Sequence, residues 1–340
     1  MDGYVPGEQP RDRRYIKLNT NENPYPPSPR VLEALRAAVG DDLRLYPDPE
    51  ATELRARASE IYGVPADGIL AGNGSDDLLT MLFRACVASG DGSVAYAVPT
   101  YSLYDTLALI QDAEPRTVPY PRSFALPVDA LVALEARLTI VCNPNSPSGT
   151  LAPLSAIQDL AQRSRGLVVV DEAYVDFASE SALSLLPSCP NLAVLRTFSK
   201  SFSLAGMRIG LAFASPDVIR ELHKVKDSYN LDRLSLVAAR AALDDYAWMQ
   251  ANTAKVRASR DQLIAELGAL GFRVLPSESN FVFAESPILG GEELYQRLRA
   301  EGILVRHFSR PELRAGVRIT VGTPEANRAL LTALATFATR

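Results

Sequence analysis

A lysine and an arginine lie close together in residues 197–210 (TFSKSFSLAGMRIG), and their types suit a defined chemistry. Lys200 lies in a serine-rich turn just past residues 192–195, an apolar run typical of a short buried strand. Such an amine can form Schiff bases with carbonyl compounds if its pKa is depressed. Arg208 carries a permanent fork of donors suited to phosphate. Together they indicate pyridoxal 5′-phosphate (PLP), and two solvated surface charges are the ordinary alternative.

Other apolar runs end in residues that suit the same cofactor, since ligands of an open parallel sheet bind at the carboxyl ends of its strands. Residues 69–71 are followed by GNGSDD. There the glycines allow a tight turn, Ser75 can cap a helix, and free amides at the helix start attract an anion. An ordinary helix cap fits this turn equally well. Residues 94–98 lead to Tyr101, whose ring either contacts a ligand or packs in the core.

A carboxylate ends another apolar run. Asp171 follows residues 167–170, where a buried carboxylate is costly unless it meets a cation or a donor. A protonated pyridine nitrogen is such a cation, and its protonation keeps the ring an electron sink. An exposed strand-end aspartate is the alternative. Residues 138–142 lead into a polar turn, 143–150, which by itself is a loop. Five strand ends, each with a different polar group, therefore suit one cofactor.

These residues need a scaffold in which short strands alternate with helices. The predicted strands of this part are 68–71, 93–98, 138–142, 167–170, 192–195 and 209–214, with helices that include 77–88, 154–165 and 217–226. This alternation favours a mostly parallel sheet covered on both faces. A long helix over 246–270 precedes a smaller α+β unit that ends in a helix over 324–338. Residues 1–30, rich in Pro and Asn, are expected to form an extended arm.

Composition narrows the class of protein. The chain has 340 residues, 47% hydrophobic and 22% charged, which suits two domains of a globular protein. A net charge of −5 does not indicate the excess of Lys and Arg that nucleic-acid binding favours. No apolar run is long enough for a membrane span. The first residues lack the features of a signal peptide. Three scattered cysteines and two histidines argue against a disulfide framework or a metal site. We expect a metal-free cytoplasmic protein.

The chain resembles the fold-type I, aspartate-aminotransferase-like PLP enzymes, and among them the histidinol-phosphate branch. The superfamily pattern is the Ser-Lys…Arg segment at 199–208 with Asp-Glu-Ala-Tyr at 171–174. The branch pattern comprises YVPG at 4–7, LNTNENP at 18–24, YPDP at 46–49 and VRITVGT at 317–323. The resemblance spans nearly the whole chain. It implies an α/β fold with a large domain (31–255) built on a mostly parallel seven-stranded sheet, a small α+β domain (256–340) and an arm (1–30).

The resemblance implies roles around the PLP ring. Lys200 would carry the cofactor and later move a proton between the substrate's α-carbon and the cofactor. Asp171 would pair with the pyridine nitrogen, Tyr174 would bond the ring oxygen, and Tyr101 would stack on the ring.

It also implies how the phosphate is held and why two chains are needed. The amides of Ser75 and Asp76, with Ser199 and Arg208, would hold the cofactor phosphate. Tyr46 resembles a tyrosine that reaches the phosphate of a neighbouring subunit, so the protein should be an isologous homodimer.

One turn departs from the family pattern. The usual Asn-Asn-Pro-Thr-Gly is here Asn145-Ser146-Pro147-Ser148-Gly149, so the asparagine that normally bonds the ring oxygen is Ser146. Either Ser146 or Asn145 takes over that contact, or Tyr174 alone makes it.

For substrates, the resemblance implies L-histidinol phosphate and 2-oxoglutarate, within histidine biosynthesis. Arg318 would clamp the substrate anion, Arg306 would be a second arm for phosphate, and Tyr4 would close over the imidazole. Alternatively, Arg306 is a surface charge and Tyr4 lies in a loose terminus.

Two rival activities belong to the same superfamily. An aromatic amino-acid aminotransferase would not need a second anion clamp, and a threonine-phosphate decarboxylase would break a different bond. A nicotinamide dehydrogenase is disfavoured because Asp77 stands where the third glycine of Gly-x-Gly-x-x-Gly belongs and because Lys200 would have no role.

Overall fold

The main sheet has seven strands in the computed structural model, which describes residues 7–90, 93–113 and 115–338. The described strands of all three sheets are β1 (Ile16–Lys17), β2 (Ile69–Gly72), β3 (Val94–Val98), β4 (Pro115–Pro119), β5 (Leu138–Cys142), β6 (Leu167–Asp171), β7 (Leu192–Thr197), β8 (Gly210–Ala214), β9 (Arg273–Val274), β10 (Phe281–Glu285), β11 (Ile303–Leu304), β12 (Arg306–His307) and β13 (Gly316–Thr320). The α-helices are α1 (Pro29–Ala38), α2 (Thr52–Tyr62), α3 (Ser75–Cys86), α4 (Leu103–Ile110), α5 (Val128–Val132), α6 (Leu154–Arg163), α7 (Pro216–Val225), α8 (Arg233–Asp244), α9 (Tyr246–Ala269), α10 (Gly291–Ala300) and α11 (Pro324–Ala338).

The main sheet has the order β2-β8-β7-β6-β5-β3-β4. β8 runs antiparallel to both of its neighbours, and the other pairs are parallel. β5 and β7 are buried along their whole length, as expected for strands covered by helices on both faces. The predicted α/β class with a mostly parallel seven-stranded sheet is confirmed.

The sequence did not predict β4, the strand at one edge of this sheet. Pro115 and Pro119 bound it, and its side chains are partly exposed, so it lacks the apolar run that marks the inner strands. Proline is tolerated at an edge because a backbone N–H there can face solvent.

A second, antiparallel sheet has the order β12-β13-β10-β9 and packs with α9, α10 and α11. Its core includes Phe281, Ile319 and Leu294. The described part of the arm adds no strand to the main sheet, but Ile16–Lys17 pair in parallel with β11, which the sequence did not predict. Beyond them, Leu18 donates its N–H to Leu304 and accepts one from Thr320 through its carbonyl.

α1 begins at Pro29, just before the predicted end of the arm, and α9 runs across the predicted boundary at residue 255. The division into 1–30, 31–255 and 256–340 therefore stays a proposal.

None of the described helices has the length and apolar character that a membrane span requires.

Candidate active site

Lys200 lies in the loop after β7, with its amine turned toward the arm. Its Nζ donates to the carbonyl of Thr20 at 3.4 Å and lies 5.8 Å from the centre of the Tyr174 ring. The side-chain amide of Asn23 donates to the carbonyls of Lys200 and Ser201, at 3.0 and 3.1 Å. The arm therefore fixes the backbone that carries this lysine.

The surroundings of Lys200 favour its neutral form. Burial and the positive charge of Arg318 lower the pKa of Lys200 to about 8. Arg208 acts in the same direction, and the carboxylates of Glu22 and Asp76 oppose it. With this pKa about a tenth of the amine is neutral at pH 7, far more than for an ordinary lysine. The amine thus meets the condition for a nucleophile or a base.

Asp171 ends β6 inside the protein, with 2% of its surface exposed. Its Oδ2 accepts a hydrogen bond from the hydroxyl of Tyr104 at 2.7 Å. Its Oδ1 is buried and has no hydrogen-bond partner among the described residues. Burial raises the pKa of Asp171 to about 6, although the Tyr104 hydrogen bond acts against this rise. One oxygen of this carboxylate is therefore held, and the other is open to a donor that the protein does not supply.

Tyr174 follows β6 by three residues and lies under the arm. Its hydroxyl accepts a hydrogen bond from the side-chain amide of Asn21 at 3.0 Å, and its ring meets the edge of Phe281 at 5.0 Å. Asn21 is itself fixed by Thr320 of β13, through its backbone N–H and its side-chain oxygen. Burial raises the pKa of Tyr174 to about 12, so the hydroxyl keeps its proton at neutral pH.

The turn after β2 brings together the residues predicted to hold a phosphate. α3 begins at Ser75, and Gly74, with φ +84°, stands in the cap position, so the expectation that Ser75 caps the helix is wrong. A Cβ on Gly74 would lie 2.8 Å from Nη2 of Arg208. The Arg208 guanidinium lies 3.3 Å from the Asp76 carboxylate and 3.5 Å from the Ser199 hydroxyl. The first amides of α3 have no acceptor within the helix. We call Gly74, Ser75, Asp76, Ser199 and Arg208, with the first backbone amides of α3, the cradle.

Tyr101 borders the cradle. Its hydroxyl donates to Oδ1 of Asp76 at 3.3 Å, and its ring meets that of Tyr104 edge-on, with centres 5.7 Å apart. The loop after β3 thus places an aromatic ring between the cradle and the partner of Asp171.

Asn145 is buried between two loops. Its side-chain amide donates to the carbonyl of Pro99 at 3.2 Å and to the hydroxyl of Ser148 at 2.9 Å, while its oxygen accepts from Thr100 at 2.8 Å. Both amide hydrogens are therefore used within the protein. The prediction that Asn145 contacts a cofactor stays a prediction, and these bonds favour Ser146 or Tyr174 for that contact.

Two arginines of the second sheet face each other. Arg306 of β12 and Arg318 of β13 are directly opposite partners in the antiparallel pair. Both guanidinium groups lie 5.6 Å from the centre of the Phe308 ring. Like charges in opposite positions repel each other and destabilise the sheet. An anion between them would remove that cost.

Arg318 also contacts the arm and the turn after β5. It donates to the carbonyl of Asn19 at 3.0 Å and to the hydroxyl of Ser146 at 3.2 Å, and it lies 5.2 Å from the Phe281 ring. Its charge lowers the pKa of Lys200, so the anion site and the amine are electrostatically linked.

Comparison with known proteins decides the family. The family model described as aminotransferase class I and II matches residues 13–334. The chain belongs to the class I and II aminotransferases. It is 49% identical to the histidinol-phosphate aminotransferase of Syntrophotalea carbinolica over 336 residues, which cover 98% of this chain and 96% of that protein. It is 46% identical to histidinol-phosphate aminotransferase 1 of Trichormus variabilis, with 98% and 95% covered.

A solved relative has the same fold. The crystal structure of histidinol-phosphate aminotransferase from Sinorhizobium meliloti, in complex with PLP, superposes with a TM-score of 0.89. The identity is 29%, and the match covers 96% of this chain and 92% of that one. These matches confirm the predicted aspartate-aminotransferase-like architecture, the aminotransferase class of enzyme and PLP as its cofactor.

The residues of this aminotransferase fit PLP. The open Oδ1 of Asp171 suits a protonated pyridine nitrogen, and the cradle offers Arg208, Ser199 and helix amides to a phosphate. Gly74 leaves the space that a side chain would fill. Lys200, with its lowered pKa, suits an aldehyde. The roles of the individual residues remain predictions.

Two of the predicted site residues are not among those brought together in the candidate site. Tyr4 lies outside the described residues. Tyr46 is 78% exposed, and its ring stacks on Tyr229 with centres 4.4 Å apart.

Several residues of the candidate site have no role that the sequence predicts. Tyr104 holds Asp171, Asn21 holds Tyr174, and the carbonyl of Thr20 meets Lys200. Tyr104 was detectable in principle, because it follows Tyr101 by three residues at a helix start, where such residues share a face. The arm residues carry no local signal, since their partners lie far away in the chain.

Proposed function

We propose that this chain transfers the amino group of L-histidinol phosphate to 2-oxoglutarate, forming imidazole-acetol phosphate and glutamate in histidine biosynthesis. The names of its relatives at 46% and 49% identity support this substrate. The observation that carries the proposal is the in-register pair of Arg306 and Arg318. Two facing guanidinium groups suit a phosphate, which bears nearly two negative charges, better than a single carboxylate.

In this proposal the chain's own residues bind, orient and move protons. PLP, when bound, supplies an electron sink for the substrate's amino-bearing carbon. Asp171 holds the pyridine nitrogen, and the cradle holds the phosphate. Tyr174 donates its hydroxyl to the ring oxygen. Lys200 would take the proton from the amino-bearing carbon and deliver it to the carbon of the cofactor that carried the aldehyde, for which a pKa of about 8 is well matched near neutral pH.

A half-reaction assay tests the substrate. The purified, PLP-loaded enzyme is mixed in turn with histidinol phosphate, phenylalanine and threonine phosphate, and the change in cofactor absorbance is followed. We expect the highest kcat/KM with histidinol phosphate. A preference for phenylalanine would favour an aromatic amino-acid aminotransferase, and release of carbon dioxide from threonine phosphate would favour a decarboxylase.

We also propose that the enzyme is a homodimer with shared sites. Leu43, Leu45 and Tyr46 form an exposed apolar segment, and Tyr46 stacks on the exposed ring of Tyr229. A cluster of this kind is typical of a surface that another chain covers. In an isologous dimer, Tyr46 of each chain would reach the cradle of its partner.

Mixed dimers test this sharing. Co-expression of Lys200→Ala chains with Tyr46→Ala chains yields heterodimers in which one site keeps both Lys200 and Tyr46. We expect the mixture to exceed the mean activity of the two parent variants. Activity equal to that mean, or a fully active monomer in sedimentation at assay concentration, would contradict a shared site.

The proposed location is the cytoplasm. All three cysteines, Cys86, Cys142 and Cys189, are unpaired, which fits a reducing compartment. Fractionation of cells that express the native chain tests this proposal.

A further inference from the structure

Tyr104 is a fully buried tyrosine whose hydroxyl is directed at Asp171. It lies in the first turn of α4, has 0% of its surface exposed, and donates to Oδ2 of Asp171 at 2.7 Å. The other oxygen, Oδ1, has no hydrogen-bond partner among the described residues. A buried hydroxyl that fixes one oxygen of a buried carboxylate determines which oxygen remains for a ligand.

Neighbouring rings hold Tyr104 in place. Tyr96 of β3 meets its ring edge-on with centres 5.6 Å apart, and Tyr101 does so at 5.7 Å. Tyr96 donates its own hydroxyl to Asp105. The two buried tyrosines thus each pair with a different carboxylate.

We propose that Tyr104 is a positioning residue that keeps the Asp171 carboxylate ionised and turns its free oxygen toward the pyridine nitrogen of PLP. This inference rests on the proposed placement of PLP against Asp171. A protonated pyridine nitrogen is stabilised by a carboxylate and not by a neutral carboxylic acid, so the ionisation of Asp171 matters for binding.

The other groups that face Asp171 do not replace this hydrogen bond. They are Cys142 of β5, Asp76 of α3 and Tyr174 after β6. Burial and Asp76 raise the pKa of Asp171, whereas the Tyr104 hydrogen bond and the backbone N–H of Ala173 lower it. Without the Tyr104 hydroxyl, the pKa of Asp171 should rise further, and protonation should occur at higher pH.

The experiment measures PLP affinity from about pH 5 to about pH 8, a range that brackets the pKa of Asp171 of about 6. Full-length wild type, Tyr104→Phe and the matched control Tyr96→Phe are freed of cofactor and titrated with PLP by fluorescence. Both variants lose one buried hydroxyl and keep the ring. Titration of PLP itself is common to all three proteins, so only differences between them count.

We expect Tyr104→Phe to bind PLP about tenfold more weakly near pH 6 and to approach wild type at higher pH. The pH at which affinity falls by half should move upward by about one unit. Tyr96→Phe should follow wild type. A purely structural role would weaken binding equally at every pH, so an unmoved midpoint in Tyr104→Phe overturns the proposal.

A fourth protein separates this inference from the proposed function. Asp171→Asn should bind PLP more weakly than wild type above about pH 7, where Asp171 is ionised, and should show no midpoint besides the one that PLP itself gives. If it bound PLP as wild type does, the placement of PLP against Asp171 would be wrong, and the inference would fail with it. If it bound weakly while Tyr104→Phe matched wild type, only the role of Tyr104 would fail.

Discussion

The molecule has two candidate anion sites, and they are built differently. The cradle lies on the main sheet and combines one arginine, Arg208, with a glycine turn and the first amides of α3. The second site lies on the smaller sheet and combines the side chains of Arg306 and Arg318 around Phe308. The first relies on backbone groups and the second on side chains.

This difference matches what each site is proposed to hold. A cofactor phosphate stays bound, and backbone amides fixed by a helix and a sheet hold it without further ordering. The substrates alternate between a phosphate and a carboxylate, so their site needs flexible groups that can serve both. Lys200 lies between the two sites: it follows Ser199 of the cradle, and its amine meets the carbonyl of Thr20, next to the Asn19 carbonyl that Arg318 binds. Arg208 and Arg318 both lower its pKa.

The largest expected effect comes from removing the group between the two sites. Lys200→Ala should lower transamination by roughly 10³-fold or more, because both the nucleophile and the base are lost. Binding of inorganic phosphate at the two anion sites should remain. Stopped-flow half-reactions and calorimetry measure these quantities.

The matched control is Lys224→Ala, which removes an exposed lysine paired with Glu221. It should behave as wild type. If Lys200→Ala, checked for cofactor content, kept more than about a tenth of wild-type turnover, the role of this lysine would be wrong.

The second prediction gives Arg306 and Arg318 different roles in the two half-reactions. Arg306→Ala should reduce kcat/KM for histidinol phosphate by about 10- to 150-fold and affect the 2-oxoglutarate half-reaction less. Arg318→Ala should reduce both, because each substrate presents an anion there. Each half-reaction is the control for the other. Equal effects of Arg306→Ala on both would show that the pair does not discriminate phosphate from carboxylate.

The contrast between the sites also shows what a sequence can predict. The residues of the cradle follow a strand end and a glycine turn, so local rules predicted an anion site in the turn at 72–77 and the lysine loop, while the resemblance named the amides of Ser75 and Asp76. The same rules wrongly made Ser75 the helix cap, because they do not give the backbone angle of Gly74. The ion pair between Asp76 and Arg208 joins distant segments, and no local pattern predicts it.

The prediction of the second anion site depended more on the resemblance to a known family. Arg306 and Arg318 face each other only because β12 and β13 pair in one register, which the alternation of residues does not specify. Asn19 and Asn21 reach the site because the arm folds back along β11 and β13. The inner strands of the main sheet were predictable from their apolar runs, whereas β4 at the edge was not.

The third prediction concerns the backbone of the cradle. Gly74→Ala forces a left-handed residue to carry a Cβ and pushes on Arg208, so PLP affinity should fall by roughly tenfold. Gly63→Ala is the matched control: its φ is +69°, and nothing lies near the added Cβ. Gly63→Ala should lose about 1–2 kcal/mol of unfolding free energy, and Gly74→Ala should lose more, because its ψ of 168° lies outside the left-handed helical region and its Cβ meets Arg208. A PLP affinity that falls equally in both would mean that general strain, and not the cradle, explains the loss.

The smallest expected effect measures how strongly each anion site acts on the amine between them. Positive charges disfavour a protonated lysine, so removing one should raise the pKa of Lys200 from about 8. Arg318→Gln should raise it by about half a unit or more, and Arg208→Gln by less, because Arg318 has the larger influence.

The measurement is the rate at which acetic anhydride modifies Lys200 in the cofactor-free, full-length chain at several pH values, with Lys224 as an internal reference. A raised pKa leaves less neutral amine at a given pH, so the rate profile should move to higher pH in both variants. The larger shift should belong to Arg318→Gln. The reverse order would mean that the cradle, and not the substrate site, controls the amine, and it would remove the electrostatic reason for linking substrate binding to Lys200.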